Sequence, residues 1–155
     1  MNKFYQNTEG QVFVDPILAN HVGLTEITQE QFNQIIEERN KPTTDQLLRQ
    51  LTSERKSQEL QGVVINGIRY AGDPGNRQTL QEAITYIEDA GLTEFPLWKD
   101  SDDVFHADHP LADVKDAVRA IGARRSQLIA AEGEYAAQII AGTLTDLTET
   151  ELVWP

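Results

Sequence analysis

The sequence predicts an α+β chain: a small N-terminal hairpin-and-helix module, residues 1–41, then a mainly helical domain, residues 42–155, carrying one or two further β-hairpins. Three observations predict it. Val63-Val64-Ile65 and Ile68-Arg69-Tyr70 are β-rich triplets around Asn66-Gly67, the strongest two-residue hairpin signal. Leu80, Ala83, Ile84 and Ile87 follow at helical spacing after the Asp73-Pro74 stop. Leu111, Val114, Val118, Ile121, Leu128, Ile129, Ile139 and Ile140 then hold an approximate period of 3.6 residues.

Taken in order, Lys3 to Gln6 and Gln11 to Val14 read as short strands around a loop that ends in Gly10. Asp15-Pro16 ends the second strand. Gly23 to Ile27 is a further extended piece. Thr28 is an N-cap with Gln31 at the third helical position, a capping box, and the helix carries Phe32, Ile35 and Ile36 on one side. Pro42 biases Lys41 out of the α region, so this helix stops near Asn40 and the boundary falls there. Thr43 or Thr44 opens a helix with a Leu47, Leu48, Leu51 stripe, and its second half, Thr52 to Gln61, reads as a solvated helix or as one seam of an oligomer, with the solvated helix favoured because Leu60 is its single apolar anchor. The helix from Pro74 ends at Gly91. Phe95 to Trp98 and Val104-Phe105 flank a polar loop as a second hairpin, with Phe95 and Trp98 as core anchors. Asp108 is the expected cap of the last helix, with Pro110 in its first turn. Gly122 and Gly133 inside that helix imply close packing or a break. Thr145 to Glu151 reads as one acidic helical turn. The expected core is Leu47, Leu51, Leu80, Ile84, Ile87, Val114, Val118, Ile121 and Leu128, with the Val63–Tyr70 hairpin on the Pro74 helix.

Composition excludes several functions. The 155 residues contain no cysteine, which removes disulfides, thiolate catalysis and cysteine-based zinc sites. No apolar run approaches the ~20 residues that span a bilayer, and Met1 to Gly10 lack a signal-peptide core. A soluble chain made in a cytoplasm is expected. The net charge is −12, and no basic run exceeds Arg124-Arg125. Nucleic acid and anionic membranes, which bind through Lys and Arg, are therefore not expected partners.

No catalytic set emerges, and neither a cofactor nor a metal is expected. His106-Ala107-Asp108-His109 has metal-ligand residue types but lacks a remote third ligand. Asp100-Ser101-Asp102-Asp103 resembles the start of a calcium loop, yet position six is Phe105 where Gly is required. Gly72 to Gly75 lacks the GK[ST] ending of a phosphate loop. His21, His106 and His109 have no nucleophile and acid partners. The candidate partner-binding residues are Phe4, Tyr5 and Phe13, on a hairpin too small to bury both faces, and Trp154. Trp154 either packs back as a plug or docks on a partner.

The layout resembles that of short proteins of tailed bacteriophages and prophages encoded beside tail-fibre genes. The residues carrying the resemblance are Phe4 to Val12, Gly23 to Thr28 leading into the helix Gln31 to Asn40, Pro42-Thr43, Val63 to Arg77, and the terminal Trp154-Pro155. It covers nearly the whole chain. The N-terminal part is similar to tail-fibre assembly chaperones, and the C-terminal part to a phage-tail-associated domain. The resemblance implies a non-enzymatic tail accessory protein whose partner is a tail-fibre or other tail protein. It acts as an assembly chaperone or fibre-tip-bound factor in the host cytoplasm, or remains in the virion as a permanent structural component. The glycine-interrupted last helix departs from the resemblance.

Overall fold

The structure, a computed structural model, describes residues 2–14, 23–147 and 152–155. His21, the Asp15-Pro16 stop and residues 148–151 of the expected acidic turn lie outside these. Thr145 to Leu147, the described part of that turn, are not helical. The chain divides into two compact units, Met1–Thr43 and Thr44–Pro155.

The first unit contains β1 (Phe4–Asn7), β2 (Val12–Val14), β3 (Leu24–Ile27) and α1 (Gln29–Asn40). The Asn7 side chain closes the first loop, its Oδ1 accepting from the backbone N–H groups of Glu9 and Gln11 at 3.1 and 2.8 Å. The extended piece after Gly23 is a third strand. It pairs antiparallel with β1, giving the order β2-β1-β3. The lone hairpin expected here is thus a three-stranded sheet, and β1 is its centre. The Thr28–Gln31 capping box is made in both directions, at 3.1 and 2.9 Å. Lys41 turns extended, with ψ 131°, immediately before Pro42.

The second unit runs α2 (Thr44–Gln61), β4 (Val63–Ile65), β5 (Ile68–Tyr70), α3 (Pro74–Asp89), β6 (Glu94–Lys99), β7 (Phe105–Pro110) and α4 (Leu111–Ile140). Every strand pairing is antiparallel, so the described residues form no βαβ unit and the class is α+β. Asn66 and Gly67 both take positive φ, 50° and 82°, as a tight hairpin turn with the native twist requires. Asp73 caps α3 through Asn76 N–H at 2.9 Å, with Pro74 in the first turn. The β6–β7 loop is tied by Asp100, whose Oδ1 accepts from the N–H groups of Asp102 and Val104.

Two expectations fail in this unit. Asp108 does not cap α4. It lies within β7 at φ 52°, and the N-cap position of α4 is Pro110, which offers no side-chain cap. Phe95 and His109 before the kink and Trp98 and His106 after it gather on the same side of the ladder, with the Trp98 ring 4.9 Å from Phe95 and 5.4 Å from His109. Gly122 and Gly133 neither break α4 nor pack closely, because the helix is continuous and a Cβ at either would meet nothing within 4 Å.

The unit holds two cores. One gathers Tyr70, Leu80, Ile84, Ile87, Phe95, Leu111, Val114, Ala117 and Ile121, with Val63, Ile65, Ile68, Trp98 and Val118 packed around them. The β4–β5 hairpin and α3 thus share one core, as expected. The other joins Leu47 and Leu51 of α2 to Ile139 of α4, Leu144 and Leu147, with Trp154 against it. Of the nine residues expected inside, eight are buried, Leu128 among them, and Val118 is half-buried. No helix of the described residues is long and apolar enough to cross a membrane.

Candidate partner-binding site

The N-terminal sheet positions three of the four candidate residues. Neighbours along a strand point to opposite faces. Phe4 therefore turns toward α1, where its ring lies 4.7 Å from that of Phe32. Tyr5 points to the other face and stands directly opposite Phe13 of β2. Both are half-buried. A groove of about 440 Å³ opens beside Phe4, lined by Asn2, Lys3, Glu26, Ile27, Thr28 and Gln29. The Lys3–Glu26 ion pair, 3.2 Å, crosses the same strands. At the outer edges, β2 and β3 have no further strand partner among the described residues.

Burial separates this unit from the other. None of its described residues is fully buried, not even in α1. A sheet of three short strands and one helix is small for independent stability. Its backbone edge and half-buried aromatics suit completion by a partner.

Trp154 belongs to the other unit. Its ring meets Tyr135 edge-on at 5.7 Å. The Tyr135 hydroxyl donates to the Val153 carbonyl at 3.2 Å and accepts from the Val153 N–H at 3.0 Å. These contacts are those of a plug.

His106 and His109 sit together in the second unit, their ring centres 6.1 Å apart. His109 is 2% exposed. Its Nε2 shares a 2.6 Å hydrogen bond with the Tyr70 hydroxyl, and its ring stacks on Trp98 at 5.4 Å. Burial pushes His109 below its ordinary pKa of 6.5 and Tyr70 up to about 12. His106 bonds Asp100 at 2.8 Å. That bond, with the loop N–H groups, holds the Asp100 carboxyl below its usual range. Asp108 is exposed. Among the described residues no three His, Asp or Glu side chains are placed to hold a metal.

The polar half of α2 is solvated at Ser53, Glu54, Lys56, Ser57, Leu60 and Gln61, but not along the side that carries Arg55 and Glu59. Arg55 and Glu59 pair within the helix, and their side chains are 11% and 10% exposed. Arg55 also meets Glu132 of α4 at 2.6 Å, and Thr52 donates to Glu132 at 2.7 Å. Arg125 and Arg77 reach Glu59 at 3.3 and 3.6 Å. This charged seam ends at Gly62, where a Cβ would stand 1.8 Å from the Tyr70 carbonyl oxygen. The Arg55–Glu59 spacing is visible in the sequence, but its partners come from two later helices, α3 and α4. The cavity beside the seam is about 10 Å³, the size of one water.

A family model, described as a domain of unknown function (DUF4376), matches residues 42–152. No curated protein and no solved structure matches the chain.

Proposed function

For this chain, which belongs to the DUF4376 family through residues 42–152, we propose a non-enzymatic role as a bacteriophage tail accessory protein. It serves as a tail-fibre assembly chaperone or fibre-tip-bound factor, acting in the host cytoplasm during assembly. The reading draws on the sequence resemblance described above. The structural observation that carries it is the first unit: a small sheet with open edges and no fully buried residue. Such a unit gains a core by binding. It also precedes the family match, which begins at residue 42. The partner-binding surface is accordingly residues 1–41, with Phe4, Tyr5 and Phe13 as its aromatic anchors. Trp154 is assigned to the fold of the second unit.

The test is co-expression with the neighbouring fibre protein, using the full chain and a chain lacking residues 1–41. The full chain should raise the yield of folded fibre trimer, and the truncated chain should neither do so nor bind. Fibre that trimerises equally well alone would count against the chaperone role. Binding that survives the truncation would move the interface to the second unit. The open edge of β2 favours a second reading, permanent strand addition within the tail or baseplate. Mass spectrometry of purified virions separates the two: stoichiometric copies support the permanent role, and absence supports the transient one.

A further inference from the structure

The charged seam of the second unit is locally basic, in a chain of net charge −12. Arginines from three helices gather there: Arg55 of α2, Arg77 of α3, and Arg124 and Arg125 of α4. Two glutamates stand against them. Glu59 pairs with Arg55, Arg77 and Arg125, and Glu132 pairs with Arg55. Asp73 is turned to another task, its carboxylate capping α3 through the Asn76 N–H. Arg124 has no carboxylate partner among the described residues. Its Nη1 donates to the Gly62 carbonyl, and its Nη2 to Gln61 Oε1 at 3.4 Å. Its Nε is buried and has no hydrogen-bond partner among the described residues. A buried polar atom in that position calls for a water or an ion, and a buried charge calls for a counter-charge.

The cavity of about 10 Å³ lies at this place. Arg124 and Arg125 line it with Glu59, Gly62, Gly72 and apolar side chains of α4. The two glycines bring backbone to it instead of side chains, and a Cβ at Gly72 would stand 2.1 Å from the Glu59 carbonyl oxygen. We infer that this cavity binds a monatomic anion of the halide class, chloride being the common one. Size argues for this ligand, because room for one water-sized guest excludes phosphate, sulfate and a whole carboxylate group. Charge argues likewise. A water would satisfy Arg124 Nε but leave its guanidinium without a counter-charge, whereas the Glu59 charge is already shared by three arginines. The Arg125 side chain, 46% exposed, gives entry from solvent. The bound anion ties α4 to the α2–β4 junction at Gly62 and to the β5–α3 connection at Gly72.

The test is thermal unfolding of the full chain at constant ionic strength, sodium gluconate being replaced stepwise by sodium chloride. Tm should rise and saturate, by about 3–6 °C at chloride ten times its dissociation constant. Bromide should act in the same way, and sulfate should not. Arg124→Gln should abolish the chloride-dependent rise with unchanged helical circular dichroism. Arg119→Gln, at an exposed position on α4 paired with Asp116, should keep it. Chlorine-35 NMR gives a direct readout that needs no variant: the chloride line should broaden with added protein and narrow again when bromide competes. Equal Tm in chloride and gluconate overturns the inference, and so does a chloride line that the protein leaves unchanged. A rise that persists in Arg124→Gln, or that never saturates, means an adventitious ion only and overturns it as well.

Discussion

Replacing Tyr70 by phenylalanine keeps the ring in the core and removes one hydroxyl. Tyr70 is 1% exposed, and His109, its partner at 2.6 Å, is 2% exposed. No water reaches the imidazole nitrogen to replace the lost bond. Leaving one buried polar atom unsatisfied costs about 2 kcal/mol, within a range of about 1–3. The ring's apolar contacts with Trp98 and the surrounding core survive, so no cavity term adds to this. For a chain of this length, each kcal/mol lowers Tm by roughly 2–4 °C, which gives a fall of about 4–8 °C. Thermal unfolding followed by circular dichroism at neutral pH measures it. A Tm within a degree of the parent would refute the reasoning, because it would mean that His109 finds another partner or that the bond contributes nothing.

Gly62→Ala should destabilise by at least about 3 kcal/mol, since the position combines φ +71° with a backbone oxygen 1.8 Å from the new methyl; urea unfolding or loss of soluble expression reports it. Gly133→Ala should do the reverse, adding about 1 kcal/mol in a urea titration of dilute protein, as the methyl meets open space in a continuous helix. Acid should weaken the fold through His109. Its folded pKa lies below the ordinary 6.5, so the unfolded chain binds the proton first. The stability is fully present above about pH 6.5 and is lost as pH falls from there toward the folded value. A His109→Gln chain should show a flatter stability profile across that window in urea titrations at stepped pH, and an unchanged slope would remove His109 as its source.

Local signals were legible wherever the physics is local. Asn66-Gly67, the Thr28–Gln31 box and Asp73-Pro74 each act within four residues, and each does in the structure what its chemistry requires. The core residues were legible because helical periodicity marks the apolar face, with Val118 at its margin. Asp108 was misread because its side chain suits a cap, while its backbone is taken up by the left-handed kink opposite Pro96. The third strand of the N-terminal sheet needed a pairing across many residues, which no local pattern announces. The α2 seam was hidden for a similar reason: Arg55 and Glu59 are polar, and their burial is made tolerable by Glu132 and Arg125 from α4 and Arg77 from α3. At the candidate site, Phe4, Tyr5 and Phe13 are legible as the aromatics of a hairpin, and the register sets Tyr5 opposite Phe13. The groove beside β3 is not, since it exists only once that strand is in place.

One helix serves both cores of the second unit. The N-terminal part of α4, Leu111 to Ile121, belongs to the first core, and Tyr135, Ala136 and Ile139 belong to the second. A helix forms cooperatively, its interior turns held at little cost once nucleated. Damage to one core therefore frays the same rod on which the other is mounted. Leu51 and Ile84 share no cluster, yet amide exchange at both should follow a single opening event, and a lesion at either should be felt by the whole unit as one melting transition.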